Sequence, residues 1–90
     1  MSLERCRRRV DELDGQLVRL LNRRARAVSD IADWKKERGV PVHDPRRERA
    51  LLLRARRANA GPLDDATLVR MFERLIDEFR SFERARMEGR

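Results

Sequence analysis

A heptad pattern of apolar residues in the first 34 residues restricts the fold of this chain more than any other feature of its sequence. Two series with seven-residue spacing make up the pattern, here called the heptad stripe: Leu3, Val10, Leu17, Arg24 and Ile31, with Leu13, Leu20, Ala27 and Trp34. This spacing places all members on one face of an α-helix, and such a face packs against another helix. The exception is Arg24, which puts a guanidinium in the middle of the stripe.

A guanidinium in the middle of a buried stripe needs a compensating anion. Without one, its burial would cost several kcal/mol, and there is no nearby end of the stripe through which the side chain could reach water. The adjacent row of the helix is apolar at its centre and cationic at both ends: Arg7, Asp14, Leu21, Val28 and Lys35. Arg7, Arg24 and Lys35 therefore border one apolar face, which predicts an enclosed site for a small anion with more than one negative charge.

Residues that cap or break helices predict a first helix from about Leu3 to Arg38. Ser2 is suited to cap its start, and Gly39 with Pro41 ends it. At ~1.5 Å per residue this helix would be roughly 54 Å long. A straight helix of that length cannot fold back on itself, so its apolar face needs a partner.

Two shorter helices are predicted to follow. Asp44 is suited to cap the second helix, with Pro45 at its first position, and this helix would run to about Asn59. Asp64 or Asp65 would cap the third helix. The third helix would extend toward Arg86 with an apolar face made of Leu68, Phe72, Leu75, Ile76 and Phe79. We therefore predict an all-α protein with one long, one short and one medium helix, in a single domain over residues 1–90.

The composition leaves little material for a compact monomeric core. Charged residues make up 43% of the 90 residues and hydrophobic ones 40%, and so short a chain buries a limited share of its surface. We expect the heptad stripe to pack against the same stripe of a second copy, in an intertwined homodimeric helical bundle. Arg7 and Arg24 lie about 25 Å apart along one helix, so both can reach one small ligand only from different subunits.

The two shorter helices also carry polar groups on their apolar faces. Asp44, Arg47 and Glu48 share one face at the N-terminal end of the second helix, and that end attracts anions. In the third helix Glu83 continues the apolar row at steps of three and four residues. Burial disfavours the ionised form of a carboxyl group, so Glu83 could act as a proton donor. Alternatively, Glu48 and Glu83 would each pair with a neighbouring arginine on its own helix.

The net charge of +7, from 23 basic and 16 acidic residues, suits any anionic partner, nucleic acid included. The basic residues are spread around all the helices rather than along one stripe, and the sequence has no evident aromatic platform for bases. We expect no nucleic-acid partner, and keep a basic nucleic-acid-binding dimer as an alternative.

The single cysteine and the hydropathy of the sequence argue against several other classes of protein. Cys6 stands alone, so it can form no intrachain disulfide, and the acidic residues lack the spacing of a metal site. No stretch approaches the roughly 20 apolar residues of a membrane span, and the N-terminus has no apolar signal-peptide core. We therefore expect a cytoplasmic protein with no metal site and no membrane contact.

In their order and spacing these residues resemble the all-helical chorismate mutase family, over most of the chain. The matching pieces are Arg7, Val10 and Leu13-Asp14; Leu20-Leu21-Asn22-Arg23-Arg24; Ile31-Ala32 and Lys35; Pro41-Val42, Asp44-Pro45 and Arg47-Glu48; and Gly61-Pro62-Leu63, with Glu83 at the end of the match. Each piece alone is weak evidence for the family, whereas the joint spacing of all the pieces is specific to it. The resemblance implies a homodimer with shared active sites that rearranges chorismate to prephenate, in aromatic amino acid biosynthesis, without a cofactor or a covalent intermediate.

Because chorismate carries two carboxylates, the resemblance also assigns substrate-binding residues. Arg7 of the neighbouring protomer and Arg24 would bind the carboxylates. Arg47 would orient the substrate, and Asp44 would line the site beside Glu48, which would accept a hydrogen bond from the ring hydroxyl. These contacts would hold the substrate in the compact, chair-like geometry that a sigmatropic shift requires.

The catalytic residues that the resemblance implies are Lys35, Glu83 and Arg24. Lys35 would donate to the ether oxygen, on which negative charge accumulates as the carbon–oxygen bond breaks. Glu83 occupies the position of the family's second donor, commonly a glutamine. A carboxylate there would repel the ether oxygen, whereas a protonated acid can donate to it.

Phe79 departs from the family pattern, since serine is more familiar at its position. It would narrow the pocket, remove a contact to the ring carboxylate, or simply repack. The substrate therefore stays open, with 4-amino-4-deoxychorismate mutase and isochorismate pyruvate lyase as alternative activities. A noncatalytic module of a shikimate-pathway enzyme, and a mutase activated by a partner enzyme, are also compatible with the sequence.

Overall fold

Three α-helices make up the computed structural model, which describes residues 1–89. They are α1 (Leu3–Arg38), α2 (Pro45–Ala58) and α3 (Asp65–Met87), with no strand among the described residues. The all-α prediction is confirmed, and the predicted helix ends agree with these bounds to within one residue. Arg90, the last residue of the predicted domain, lies outside the described residues.

The ends of α1 are fixed by local hydrogen bonds. The Ser2 side chain accepts a hydrogen bond from the backbone N–H of Arg5, with an N–Oγ distance of 3.2 Å. At the other end the backbone N–H of Gly39 donates to the carbonyl of Lys35, in a left-handed conformation with φ of 66°. Residues with a Cβ rarely adopt this conformation, so glycine is suited to stop the helix here.

Aspartates cap the two shorter helices. The Asp44 side chain accepts from the backbone N–H of Arg47 at 3.1 Å, and Pro45 opens α2. The Asp64 side chain accepts from the backbone N–H of Thr67 at 3.4 Å. Of the two candidates that the sequence offered for the third cap, Asp64 is therefore the cap.

The chain is elongated. Its extents are 55 × 26 × 15 Å and its radius of gyration is 16.1 Å, whereas a compact domain of this length would have a radius of gyration of about 12 Å. The longest extent equals the length of a straight 36-residue helix, about 54 Å. The shape of the chain thus follows from α1.

The core is small and lies where α3 packs against both α1 and α2. Its buried residues are Val28 and Ala32 of α1, Ala55 of α2 and Ile76 of α3. Both α1 residues belong to the C-terminal half of that helix. A core of this size covers only part of the apolar surface of α1.

The heptad stripe is exposed in the single chain. Seven of its apolar members are exposed, from 48% at Ile31 to 63% at Leu3: Leu3, Val10, Leu13, Leu17, Leu20, Ile31 and Trp34. Monomeric soluble proteins rarely expose so large a contiguous apolar patch. The stripe therefore lacks a covering partner among residues 1–89 of one chain.

An exposed ion pair joins α1 to α3 near the C-terminal ends of both helices. Arg86 donates from Nε and Nη2 to the two carboxylate oxygens of Asp33, at 3.1 Å each. These hydrogen bonds hold the pKa of Asp33 below its usual value and raise the pKa of Arg86. Both side chains are about half exposed, so the pair adds only a small contribution to the packing of α3 on α1.

Candidate active site

A cavity of about 280 Å³ lies between the C-terminal half of α1, the start of α2 and the middle of α3. Its volume is near the lower end of the range for small-molecule sites. The charged lining residues are Arg24, Lys35, Arg47, Arg80, Asp44, Glu48 and Glu83, and the apolar ones are Val28, Ile31, Val42, Leu51, Ile76 and Phe79. Four cations and three carboxylates thus line one cavity, with an excess of one positive charge.

The structure brings together seven of the eight site residues named from the sequence. These are Arg24, Lys35, Asp44, Arg47, Glu48, Phe79 and Glu83. The exception is Arg7, which lies near the start of α1, exposed and 3.6 Å from the Glu4 carboxylate. Seventeen residues of helix, about 25 Å, separate it from Arg24. Within one chain, Arg7 does not reach the cavity.

Arg24 supplies a buried donor to the cavity. Its Nη1 atom is buried and has no hydrogen-bond partner among the described residues. Burial lowers the pKa of Arg24, and the neighbouring Arg47 lowers it further. A buried guanidinium N–H without an acceptor is costly, so an anion in the cavity would be strongly favoured at this point.

The aromatic ring of Phe79 contacts the guanidinium of Arg24. The Arg24 guanidinium carbon lies 4.3 Å from the centroid of the Phe79 ring, within the range of a cation–π contact. Phe82 meets the same ring edge to face, with centroids 6.1 Å apart and an interplanar angle of 67°. The aromatic residue at this position therefore orients a cation of the site, in addition to occupying space.

Lys35 and Glu83 form an ion pair across α1 and α3. Lys35 Nζ donates to Glu83 Oε2 at 2.9 Å and to the carbonyl of Val42 at 3.3 Å. The two side chains are only 16% and 12% exposed. The alternative that Glu83 pairs with an arginine of its own helix is wrong, because its partner lies on α1.

Glu48 and Arg80 form a second ion pair, across α2 and α3. Arg80 Nη2 donates to both carboxylate oxygens of Glu48, with 3.0 Å to Oε2. Hydrogen bonding to Glu48 raises the pKa of Arg80. The alternative that Glu48 pairs within its own helix is also wrong. His43 lies near this pair, with Nδ1 3.9 Å from Glu48 Oε2.

Arg80 is the charged lining residue that the sequence reasoning missed. The signal was present, since Ile76, Arg80 and Glu83 follow one another at steps of four and three residues. That spacing places Arg80 on the inward face of α3. It was overlooked because the chain has many arginines and most of them are exposed.

The described part of the chain has neither a metal-binding cluster nor a membrane-spanning helix. Residues 1–89 contain no group of three or more His, Cys, Asp or Glu side chains placed to hold a metal ion. None of the helices within that range has an apolar stretch that could cross a bilayer. The charged cavity is therefore the site whose chemistry needs an explanation.

These features define an all-α protein with a cationic cavity suited to a small anion. Residues 6–84 match the family model described as chorismate mutase type II. The chain is 26% identical over 88 residues to the chorismate mutase of Methanocaldococcus jannaschii, and the match covers 97% of this chain and 89% of that protein. It is 36% identical over 78 residues to the 4-amino-4-deoxychorismate mutase of Streptomyces venezuelae, over 86% of this chain and 76% of that one.

A solved structure agrees with the sequence comparisons. The form II structure of chorismate mutase from Thermus thermophilus superposes with a TM-score of 0.88 and 30% identity, over 91% of this chain and 93% of that one. The bifunctional chorismate mutase/prephenate dehydratase of Neisseria gonorrhoeae is 36% identical, but the match spans only 21% of it. The chain belongs to the chorismate mutase type II family, a family of isomerases.

The geometry of Arg24 generates a prediction about stability. We expect Arg24→Met to stabilise the protein by zero to about 2 kcal/mol, because it removes a partly buried charge at the loss of about 1 kcal/mol of cation–π attraction. Thermal unfolding at one protein concentration measures the change, with Arg23→Met on the exposed side of α1 as the control. A midpoint for Arg24→Met below that of the control would contradict the prediction.

Proposed function

We propose that this chain catalyses the rearrangement of chorismate to prephenate, in a homodimer whose active sites each take Arg7 from the partner subunit. The observation that carries the proposal is the single cavity into which Arg24 and Lys35 converge, with the Arg24 Nη1 donor buried and without an acceptor among the described residues. Membership of the chorismate mutase type II family supports the same activity. A cytoplasmic location stays a prediction, supported by the unpaired Cys6.

The charge of the cavity fits this substrate. One chain supplies an excess of one positive charge, and Arg7 from a second copy would raise the excess to two. Chorismate is a dianion, so its carboxylates would balance the site. Arg24 and Arg7 bind the carboxylates, Arg47 orients the molecule, and Glu48 accepts a hydrogen bond from the ring hydroxyl. Fixed contacts at both ends hold the flexible substrate in a reactive, folded shape.

The reaction needs positioning and electrostatic stabilisation but no proton abstraction. As the carbon–oxygen bond breaks ahead of carbon–carbon bond formation, negative charge grows on the ether oxygen. The Lys35 ammonium donates to that oxygen, so its attraction is stronger in the transition state than in the ground state. The contacts from Lys35 to the Val42 carbonyl and Glu83 hold the ammonium in place before the substrate arrives.

The second copy in the proposed homodimer would cover the heptad stripe. The stripe runs along α1 beyond the region that α2 and α3 cover, and its large apolar members are exposed. A symmetric pair of α1 helices buries both stripes at once. An antiparallel arrangement of the pair also brings Arg7 of one copy toward the cavity of the other, which one chain alone cannot do.

The names of two relatives support a place for this chain in a biosynthetic pathway. Proteins from Aquifex aeolicus and Neisseria gonorrhoeae are bifunctional chorismate mutase/prephenate dehydratases. These names support a role for the chain in aromatic amino acid biosynthesis. A partner domain or enzyme that acts together with this chain belongs to the same proposal. The 4-amino-4-deoxychorismate mutase of Streptomyces venezuelae supports a second candidate substrate, in which an amino group replaces the ring hydroxyl.

The direct test of the proposed activity is the loss of chorismate ultraviolet absorbance, with prephenate identified as the product. We expect Arg24→Ala and Lys35→Ala each to lower kcat/KM by about 10²–10³, the usual effect of removing one transition-state donor. Arg23→Ala and Lys36→Ala change exposed neighbours of the same type and serve as controls. If the wild type is inactive and binds DNA in a salt-sensitive manner, the proposed enzyme activity is wrong. The nucleic-acid-binding alternative is then favoured.

The role of Glu83 as a second donor predicts the effect of an amide at its position. In this structure the Glu83 carboxylate accepts a hydrogen bond from Lys35 Nζ at 2.9 Å, and only a protonated acid or an amide can donate to the ether oxygen. We expect Glu83→Gln to keep or raise kcat/KM, because an amide donates without protonation and places no negative charge beside that oxygen. A fall in kcat/KM of about 10-fold or more in Glu83→Gln would contradict this role.

Shared sites predict complementation between two inactive variants. In a heterodimer of Arg7→Ala and Lys35→Ala subunits, one site has both native residues and the other has neither. Random reassociation after joint refolding makes half of the dimers mixed, so we expect about one quarter of the wild-type activity to return. Arg24→Ala mixed with Lys35→Ala is the control, since each site then keeps one defect. No recovery in the first mixture, or equal recovery in both, would refute the shared site.

A further inference from the structure

Arg80 faces the cavity but has no part in the chemistry proposed for Arg24, Lys35 and Glu83. Its side chain is 26% exposed and that of Glu48 is 20% exposed, so the ion pair between them lies at the cavity wall. Arg80 Nη1 also lies 3.3 Å from Asp77 Oδ1 on the same helix. The Arg80 Nε atom is buried and has no acceptor among the described residues.

We propose that Arg80 is a specificity-determining residue, which pairs with Glu48 so that the site selects a ring hydroxyl over a ring ammonium. The inference rests on the proposed function, because Glu48 is the residue that meets this ring position. Chorismate carries a hydroxyl there, and its 4-amino analogue carries an amine that is protonated near neutral pH. The two substrates are otherwise alike, so the surroundings of Glu48 decide between them.

The charge of the pair favours a neutral substituent. A carboxylate without a cationic partner would attract an ammonium group more strongly than a hydroxyl. Arg80 neutralises the charge of Glu48 and places a permanent cation beside the same ring position. An ammonium bound to Glu48 would then be a second cation next to Arg80, and like charges in a partly buried site repel. A neutral hydroxyl carries no such penalty.

The hydrogen-bonding capacity of Glu48 leads to the same preference. An ionised carboxylate has about four lone-pair directions, and Arg80 Nη2 occupies one on each oxygen. The remaining directions, about two, are enough for the single donor of a hydroxyl, but they leave at least one of the three donors of an ammonium without an acceptor on Glu48. His43 lies beside the same carboxylate, with Nδ1 3.9 Å from Glu48 Oε2. The pairing with Arg80 therefore disfavours a cationic substituent at Glu48.

Arg80 also joins α2 to α3, so the test must separate specificity from a structural role. Loss of a structural clamp would lower kcat/KM for both substrates by the same factor. Loss of a charge that repels one substrate changes the ratio between them. The ratio of kcat/KM for chorismate to kcat/KM for 4-amino-4-deoxychorismate is therefore the readout.

The experiment compares the wild type with Arg80→Met, Arg80→Lys and the control Arg74→Met. Arg74 is on the same helix, 77% exposed, and pairs with Glu78 one turn away at 2.9 Å. We expect the wild type to prefer chorismate, and Arg80→Met to lower that preference by about 10-fold or more, mainly through faster turnover of the amino substrate. Arg80→Lys should keep the preference because it keeps the charge, and Arg74→Met should match the wild type.

Several results would overturn the inference. They are a wild-type preference for the amino substrate, an unchanged ratio in Arg80→Met, and an equal loss of activity on both substrates. Calorimetric binding of the two compounds supplies a second measurement of the same ratio. If the wild type binds both compounds but converts neither, the proposed activity fails, and the ratio of the two affinities across the same variants still decides the role of Arg80.

Discussion

The structure depends on the length of α1. A helix of 36 residues presents more apolar surface than helices of 14 and 23 residues can cover, and its buried residues all lie in its C-terminal half. That half supplies Arg24 and Lys35 to the cavity, whereas Arg7 lies about 25 Å away at the other end. The same excess of length thus leaves the heptad stripe exposed and keeps Arg7 away from the cavity. The proposed homodimer would resolve both features with one arrangement.

Within the cavity, charges are held by partners on other helices. Lys35 of α1 is held by Glu83 of α3, and Glu48 of α2 is held by Arg80 of α3. Arg24 differs from them, because its neighbours are the Phe79 ring and another cation, and its Nη1 donor has no acceptor among the described residues. Interhelix pairs stabilise the empty protein, whereas the unpaired donor stabilises only a complex with an anion. Arg24 therefore lowers the stability of the empty protein, and the anion of the proposed function would compensate for that loss.

The sequence predicted the helices well because their ends depend on local chemistry. Ser2, Asp44 and Gly39 act on backbone groups within one turn, so their effect can be read from neighbouring residues. Most of the cavity residues were also predicted, since heptad and helix-face spacing places their side chains on inward faces and the family resemblance assigns them to one site. The partner of Arg80 was missed because it lies 32 residues away, although the spacing along α3 places Arg80 itself on the inward face. The stacking of Arg24 on Phe79 was missed for the same reason, since spacing along one helix does not show which side chain of another helix it meets.

Residues of α3 contact charged cavity residues of both other helices. Phe79 and Arg80 are consecutive, yet the first contacts the cation Arg24 of α1 and the second contacts the anion Glu48 of α2. Because consecutive residues of a helix point about 100° apart, one turn of α3 contacts a cation of α1 and an anion of α2 at the wall of the same cavity. In the proposed function, the residues that bind the substrate carboxylates lie on α1 and at the start of α2, so a change there would abolish binding. Under the same proposal, changes on α3 would alter how those residues are oriented and neutralised, so substrate choice would vary there while the carboxylate contacts are retained.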